Sequence, residues 1–227
     1  MREVDTVPFQ NRADAGRILA GRLKSAVADK DVLVLALPRG GVPVGFEVAR
    51  ALGVPLDVFL VRKLGMPGEE ELAIGAIASG GVRVLNRDLI QYLRVSDNVI
   101  EELTEREQRE LERRERSYRE GRPPLAVKDR AVVLVDDGLA TGASMLAAAR
   151  ALRQQAARRI IVAVPVAARQ TCEELSKEVD QIICAETPYP FSAVGTWYED
   201  FAQTTDEDVR KLLEEANHLK QGHSLSA

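Results

Sequence analysis

Five short stretches of this chain are almost continuously apolar, and they limit the fold more than any other feature. They are "DVLVLAL" (31–37), "LDVFLV" (56–61), "AVVLV" (131–135), "RIIVAVPVA" (159–167) and "DQIICAE" (180–186). Without polar alternation they read as strands covered on both faces, which is the situation of a parallel sheet. Helical patterns lie between and around them. Asn11 can cap a helix with apolar positions Ala15, Ile18, Leu19, Leu23, Ala26 and Val27, and "VPVGFEVARAL", "ASMLAAARALRQQ", "RQTCEELSKEV" and "DEDVRKLLEEAN" follow in order. Strands alternating with helices predict an α/β fold, a mostly parallel doubly wound sheet with ligands at the carboxyl ends of its strands. A length of 227 residues, with no internal repeat and no dividing linker, is expected to form one domain, 1–227.

Some segments depart from this rhythm. "RKLGMPGEEE" reads as a polar loop, and "LAIGAIA" and "VRVLN", split by Gly80 and Gly81, as a hairpin or two short strands. From Ser96 to Glu120 the chain is dense in Glu and Arg. Glu102/Arg106, Glu105/Arg109, Glu110/Arg114, Glu112/Arg116 and Glu115/Arg119 stand at i,i+4, acid first, which is the favoured orientation in a helix. With a thin stripe of Val99, Ile100, Leu103, Leu111 and Tyr118, this predicts a long, mostly solvated helix ended by "GRPP". The tail beyond Asn217 is polar and reads as disordered.

Charge and residue usage narrow the function. A formal net charge of −4 and a pI near 5.4 argue against a nucleic-acid partner. No apolar run approaches the roughly 20 residues of a membrane helix, so no membrane partner is expected. "MREVDTVPFQNRADAG" has no signal-peptide core, and the cytoplasm is the expected location. Cys172 and Cys184 lack metal-ligand spacing and are expected as buried free thiols. The two histidines, His218 and His223, both lie near the C-terminus, which argues against a His-based catalytic site.

The chemistry concentrates at "AVVLVDDGLATGASM" (131–145). A buried strand ends in two acids, Asp136 and Asp137, and a loop of small residues turns directly into a helix. Gly138 and Gly142 can take conformations closed to other residues. Backbone N–H groups of such a loop, the helix N-terminus and the hydroxyls of Thr141 and Ser144 can converge on one phosphomonoester. No Gly-Lys-Ser/Thr ending is present, so this is not a P-loop, and acids stand where the first glycine of a dinucleotide fingerprint belongs. Two carboxylates would repel a phosphate that touched them, but they fit neutral hydroxyls or a metal one step away. Ribose 5-phosphate has that layout.

"VVLVDDGLATGAS" (132–144) resembles the phosphoribosyl pyrophosphate (PRPP) signature of the type I phosphoribosyltransferases. "LPRGGVPV", "VRKLG", "LAIGAI" and "AVGTWYEDF" add to a resemblance to a bacterial branch of that family whose acceptor is not established. The resemblance implies a PRPP motif at 132–144, with Asp136 and Asp137 on the ribose hydroxyls and Gly138, Leu139, Ala140, Thr141, Gly142, Ala143 and Ser144 around the 5-phosphate. It implies a pyrophosphate loop at 37–42, where Arg39 pairs with phosphate oxygens, Gly40 and Gly41 allow close approach, and Pro38–Arg39 is a candidate cis bond. It further implies a flexible loop at 62–72 led by Arg62 and Lys63, a charged helical insertion at 86–121, a hood at 187–204 and a C-terminal helix and tail at 205–227. Phe191, Val194, Trp197 and Tyr198 would meet the acceptor base, while Trp197 or Phe201 could equally be structural. Asp136, Asp137, Arg39 and Lys63 would be catalytic, and Mg²⁺ the cofactor, held mostly by PRPP and water and only indirectly by Asp136 and Asp137.

The partners implied are PRPP and a small-molecule acceptor, in a homodimer. The implied reaction is transfer of 5-phosphoribose to a nitrogen nucleophile with release of pyrophosphate. Ala140 stands where 6-oxopurine enzymes carry a third aspartate, which speaks against hypoxanthine or guanine. A PRPP- or nucleotide-sensing regulator, and a hydrolase or phosphorylase of a phosphoribosyl compound, remain alternatives on the same fold.

Overall fold

The structure, a computed structural model, describes residues 9–29 and 31–224, with side chains described at all of these except 70, 71 and 220–224. Half of the stretch read for a signal peptide, residues 1–8, and the last three residues of the tail lie outside the described part.

Helix α1 (Arg12–Leu23) starts as expected at Asn11, whose side chain accepts a hydrogen bond from Asp14 N at 3.0 Å. Strand β1 (Val32–Ala36), helix α2 (Gly41–Leu52) and strand β2 (Leu56–Val58) follow. After an antiparallel excursion come β6 (Ala131–Val135), α5 (Ala143–Gln154), β7 (Arg159–Val166), α6 (Arg169–Leu175) and β8 (Gln181–Glu186). A 3₁₀ turn (Val194–Trp197) and helix α7 (Asp206–Ser224) complete the chain. The central sheet is parallel throughout, in the order β2-β1-β6-β7-β8. Alternate strand residues serve opposite layers. Val34, Ala36, Val133 and Val135 pack with Leu19, Val44 and Leu213 of α1, α2 and α7. Leu33, Leu35, Val132 and Leu134 pack with Met145, Ala148 and Leu152 of α5.

The excursion corrects two expectations. "LDVFLV" is not one strand. Its first three residues pair with β1, while Val61 opens β3 (Val61–Met66) of a second sheet, with buried Phe59 and Leu60 between. "RKLGMPGEEE" is not a loop. β3, a turn at 67–68 and the start of β4 (Glu69–Ala78) form an antiparallel hairpin whose register shifts on both sides of Gly65. Its polar composition hid the strands, because ladder hydrogen bonds come from backbone, and the large side chains fully buried among the described residues of β3 and β4 are Leu64, Ile74 and Ile77. The predicted turn at Gly80 and Gly81 does join β4 to β5 (Val82–Leu85).

Helix α3 (Arg87–Leu93) leads into α4 (Asp97–Arg119), the charged helix. Four expected i,i+4 pairs form, the closest being Glu110/Arg114 at 2.8 Å and Glu115/Arg119 at 3.1 Å. Arg106 turns instead to Glu107, 2.9 Å away. The helix is also anchored more deeply than a solvated element would be. Arg119 is buried and donates to both carboxylate oxygens of buried Asp57, at 3.0 and 3.1 Å, and to the Val58 carbonyl at 2.9 Å.

Two further expectations change. Cys172 on α6 and Cys184 on β8 are joined by a disulfide, not free, because α6 folds back beside β8 and brings their Cα atoms to 6.9 Å. The helix α7 continues through Ser224, past the point where a disordered tail was expected. No helix of the described residues is long and apolar enough to cross a membrane.

Removing one partner of a buried, hydrogen-bonded ion pair strands the other charge. Arg119→Met is expected to lower unfolding stability by about 3 kcal/mol, measured by urea denaturation; a loss within error would mean that α4 is not anchored through Asp57.

Candidate functional site

β1 and β6 are neighbours in register, Ala36 opposite Val135, so the segments that follow them emerge side by side. Leu37 N continues the ladder, donating to Val135 O at 2.9 Å. The Pro38–Arg39 bond is cis, and Gly40 and Gly41 open α2 directly against the paired acids. A Cβ on Gly40 would overlap the Asp137 carboxylate, lying 2.7 Å from its Cγ, and one on Gly41 would come within 2.9 Å of Asp136 Cα. Gly40 has an ordinary φ of −61°, so space rather than backbone conformation demands glycine here.

The two acids sit in unlike surroundings. Asp136 accepts a hydrogen bond from Asp137 N at 2.9 Å. Burial, and then the charge of Asp137, push its carboxyl well above the usual range. Burial raises Asp137 as well, opposed by Arg12, whose Nε donates to Asp137 Oδ2 at 2.7 Å. Arg12 also donates to the Ala202 carbonyl at 2.7 Å and lies 3.8 Å from the centre of the Phe201 ring. The sequence reading missed Arg12. It opens an ordinary amphipathic helix 125 residues away from its partner, with no local signal.

The loop after the acids is held from two sides. Leu139 bridges to β7, donating to Val166 O and accepting from Ala168 N, and Thr171 donates to Ala140 O at 2.6 Å. Gly142 is left-handed at φ +69° and begins α5, and among the described residues no side chain caps that helix start. Thr141 and Ser144 line a cavity of about 1130 Å³ that opens toward the second sheet, with Arg62, Lys63, Arg87 and Arg150 also on its walls. Arg62 and Arg150 are paired with Glu107 and Glu178, and Asp88 shares the wall, so the loop amides, the bare helix start, Lys63 and Arg87 are the groups there whose chemistry suits an anion, beside carboxylates whose chemistry suits hydroxyls or a hydrated cation.

The remaining candidates divide. Arg39 is 40% exposed and lies 3.8 Å from Asp206 at the start of α7. Lys63 stands on β3 at the cavity. Arg62 lines the cavity while its guanidinium is tied to Glu107 of α4, with Nε 2.6 Å from Oε2. In the expected hood, Val194 covers the loop so closely that a Cβ on Gly138 would come within 2.5 Å of it. Tyr198 is buried between Phe9 and Phe201, ring centres 5.5 and 5.1 Å away, and its hydroxyl donates to the Asp137 carbonyl. It therefore braces the acids rather than presenting a ring. Phe191 and Trp197 pack beside it, and the indole N–H of Trp197 is buried with no hydrogen-bond partner among the described residues.

Fold and site together define a doubly wound α/β protein with paired acids and a glycine-bearing loop at the carboxyl ends of adjacent parallel strands. A family model described as phosphoribosyl transferase domain matches residues 9–199, and the chain belongs to that family. Two Mycobacterium tuberculosis proteins, provisionally named phosphoribosyl transferases, are 43% identical over 209 residues, or 92% of this chain. The chain spans about half, 47%, of the length of these relatives. The crystal structure of TT1426 from Thermus thermophilus is similar at 45% identity and a TM-score of 0.83, covering 92% of this chain and 98% of that one.

The raised carboxyl of Asp136 carries a stability consequence. An Asp whose folded-state pKa exceeds its unfolded value destabilises the fold once pH rises through that window, and no penalty exists below it. Asp136→Asn keeps the acceptor for Asp137 N and removes the charge. It is expected to stabilise the ligand-free protein by about 1 kcal/mol at pH 7 and not at pH 3.5, measured by chemical denaturation at both pH values. Destabilisation at pH 7 would contradict the buried-charge account.

Proposed function

We propose that this chain transfers 5-phosphoribose from Mg-PRPP to a nitrogen nucleophile, releasing pyrophosphate. One observation carries the reading. Two acids and an uncapped, glycine-shaped loop stand at the end of β6, packed against a second glycine pair at the end of β1. Asp136 and Asp137 take the ribose 2- and 3-hydroxyls. Residues Gly138, Leu139, Ala140, Thr141, Gly142, Ala143 and Ser144 enclose the 5-phosphate, and Arg39, Gly40, Gly41 and Lys63 meet the pyrophosphate. At C1 the bond to the pyrophosphate oxygen breaks, with both electrons leaving on pyrophosphate, and a bond to the acceptor nitrogen forms. The chain positions the ribose and stabilises the leaving charge, and no covalent intermediate is needed.

The donor set suits Mg²⁺. The ion favours one or two carboxylates together with phosphate and water, and Asp136 and Asp137 supply two carboxylates beside the phosphate loop. Among the described residues no cluster of three or more His, Cys, Asp or Glu side chains forms a cage of its own. Mg²⁺ would therefore arrive with PRPP and offset the charge of the departing pyrophosphate. Ala140 places no carboxylate near the base, which favours acceptors other than 6-oxopurines. Hood groups such as Phe191, Val194 and Trp197 would select the acceptor. A cytoplasmic homodimer is the assembly the reading carries.

Incubation with Mg-PRPP and a panel of purines, pyrimidines and small nitrogen heterocycles is expected to release pyrophosphate with at least one of them. Release with no base added would favour hydrolysis, and PRPP binding with no turnover would favour a sensor. By calorimetry, Asp137→Asn is expected to weaken PRPP binding about tenfold, the scale of losing a charge-assisted hydrogen bond. Unchanged affinity would remove Asp137 from the ribose site.

A further inference from the structure

We infer that helix α4 forms a wall of the pyrophosphate pocket and that Arg114 on it binds the leaving pyrophosphate, given that the site takes PRPP. Beside the paired acids lies a second cavity, of about 120 Å³. Pro38 of the loop after β1, Asp136 and Ser144 form one side, and Arg62, Arg114 and Tyr118 the other. Two of the latter three belong to the helix that its sequence marks as solvated surface. The cavity adjoins the backbone of the expected pyrophosphate loop, and it is too small for a nucleotide base and sugar.

Although α4 carries eight acids and six arginines in all, the groups nearest the cavity favour an anion. Glu107 is shared by Arg62 and Arg106, at 2.6 and 2.9 Å. Glu110 is shared by Arg113 and Arg114, at 2.7 and 2.8 Å. Each of these carboxylates thus answers two guanidiniums, a local surplus set against Asp136, the one acid lining the cavity among the described residues. Hydrogen bonds from Arg113 and Arg114 hold the Glu110 carboxyl down at about 2, so these groups stay charged across the neutral range. Arg114 is 47% exposed and ends at the cavity, so its planar fork can turn from Glu110 to phosphate oxygens while Arg113 keeps Glu110 paired.

The wall is also fixed in place. Arg119 ties α4 to Asp57, Glu107 ties it to Arg62, and the Tyr118 hydroxyl donates to Asp206 at 2.8 Å. Asp206 is the same carboxylate that faces Arg39. The start of α7 therefore links a cation of the pyrophosphate loop to the helix that closes the pocket.

The test separates the two ends of the donor. Mg-PRPP, inorganic pyrophosphate and ribose 5-phosphate are titrated by calorimetry into wild-type protein, Arg114→Ala, Arg114→Lys and the control Arg109→Ala, whose side chain is 73% exposed. Arg114→Ala is expected to weaken PRPP and pyrophosphate about tenfold and to leave ribose 5-phosphate unchanged. Arg114→Lys is expected to recover part of the loss, and Arg109→Ala to match wild type. Arg114→Ala that binds PRPP and pyrophosphate as tightly as wild type overturns the assignment. So does an equal loss for all three ligands, which would mark a structural role. Wild-type protein that binds pyrophosphate but not PRPP overturns the PRPP reading of the site. An Arg114 effect on pyrophosphate would then still support the pocket wall. Wild-type protein that binds neither overturns both.

Discussion

The closeness of two backbones organises this molecule. β1 and β6 run parallel and in register at the centre of the sheet, and both end at the same level. The chain leaving β1 must then turn into α2 across the face of the acids that end β6. Only residues without a Cβ fit, which is why Gly40 and Gly41 stand opposite Asp137 and Asp136. Flanking helices, the second sheet and the hood all pack around this crossing. It puts carboxylates, a bare helix start and an arginine loop within one small volume.

That arrangement concentrates charge where water is scarce, and the protein answers it with one distant cation. Arg12 reaches from α1 to Asp137, while its other edge and its flat face engage Ala202 and Phe201. Tyr198 contacts the same aspartate through the backbone carbonyl. The segment from Val194 to Ala202 is thereby fastened to the signature loop by an ion pair, a hydrogen bond and the contact of Val194 with Gly138.

Much of the fold was legible because burial on both faces leaves a plain mark. "DVLVLAL", "AVVLVD" and "RIIVAVPVA" hold little but apolar residues, and the two cores they feed alternate along each strand as the pleat requires. The phosphate loop was legible for a different reason, since two acids before a small-residue turn serve few structural purposes. What stayed hidden depends on partners far away in the chain. The β3–β4 hairpin is carried by backbone pairing beneath a polar surface. Arg119 looked like the helical partner of Glu115, yet it also grips Asp57 on another element, and Glu107, which belongs to none of the expected pairs, meets Arg62 on β3. Arg12 has nothing beside it to mark its tie to Asp137. Cys172 and Cys184 showed no pattern, because only the packing of α6 on β8 joins them.

Whether the crossing of the two strand ends is a PRPP site is decided by calorimetric titration of Mg-PRPP into the wild-type protein and into Gly40→Ala. The expected result is saturable binding of one PRPP per chain by the wild type and loss of that binding in Gly40→Ala, where a methyl group would overlap the Asp137 carboxylate. Absence of binding by the wild type, or Gly40→Ala protein that binds as tightly as wild type, would contradict it.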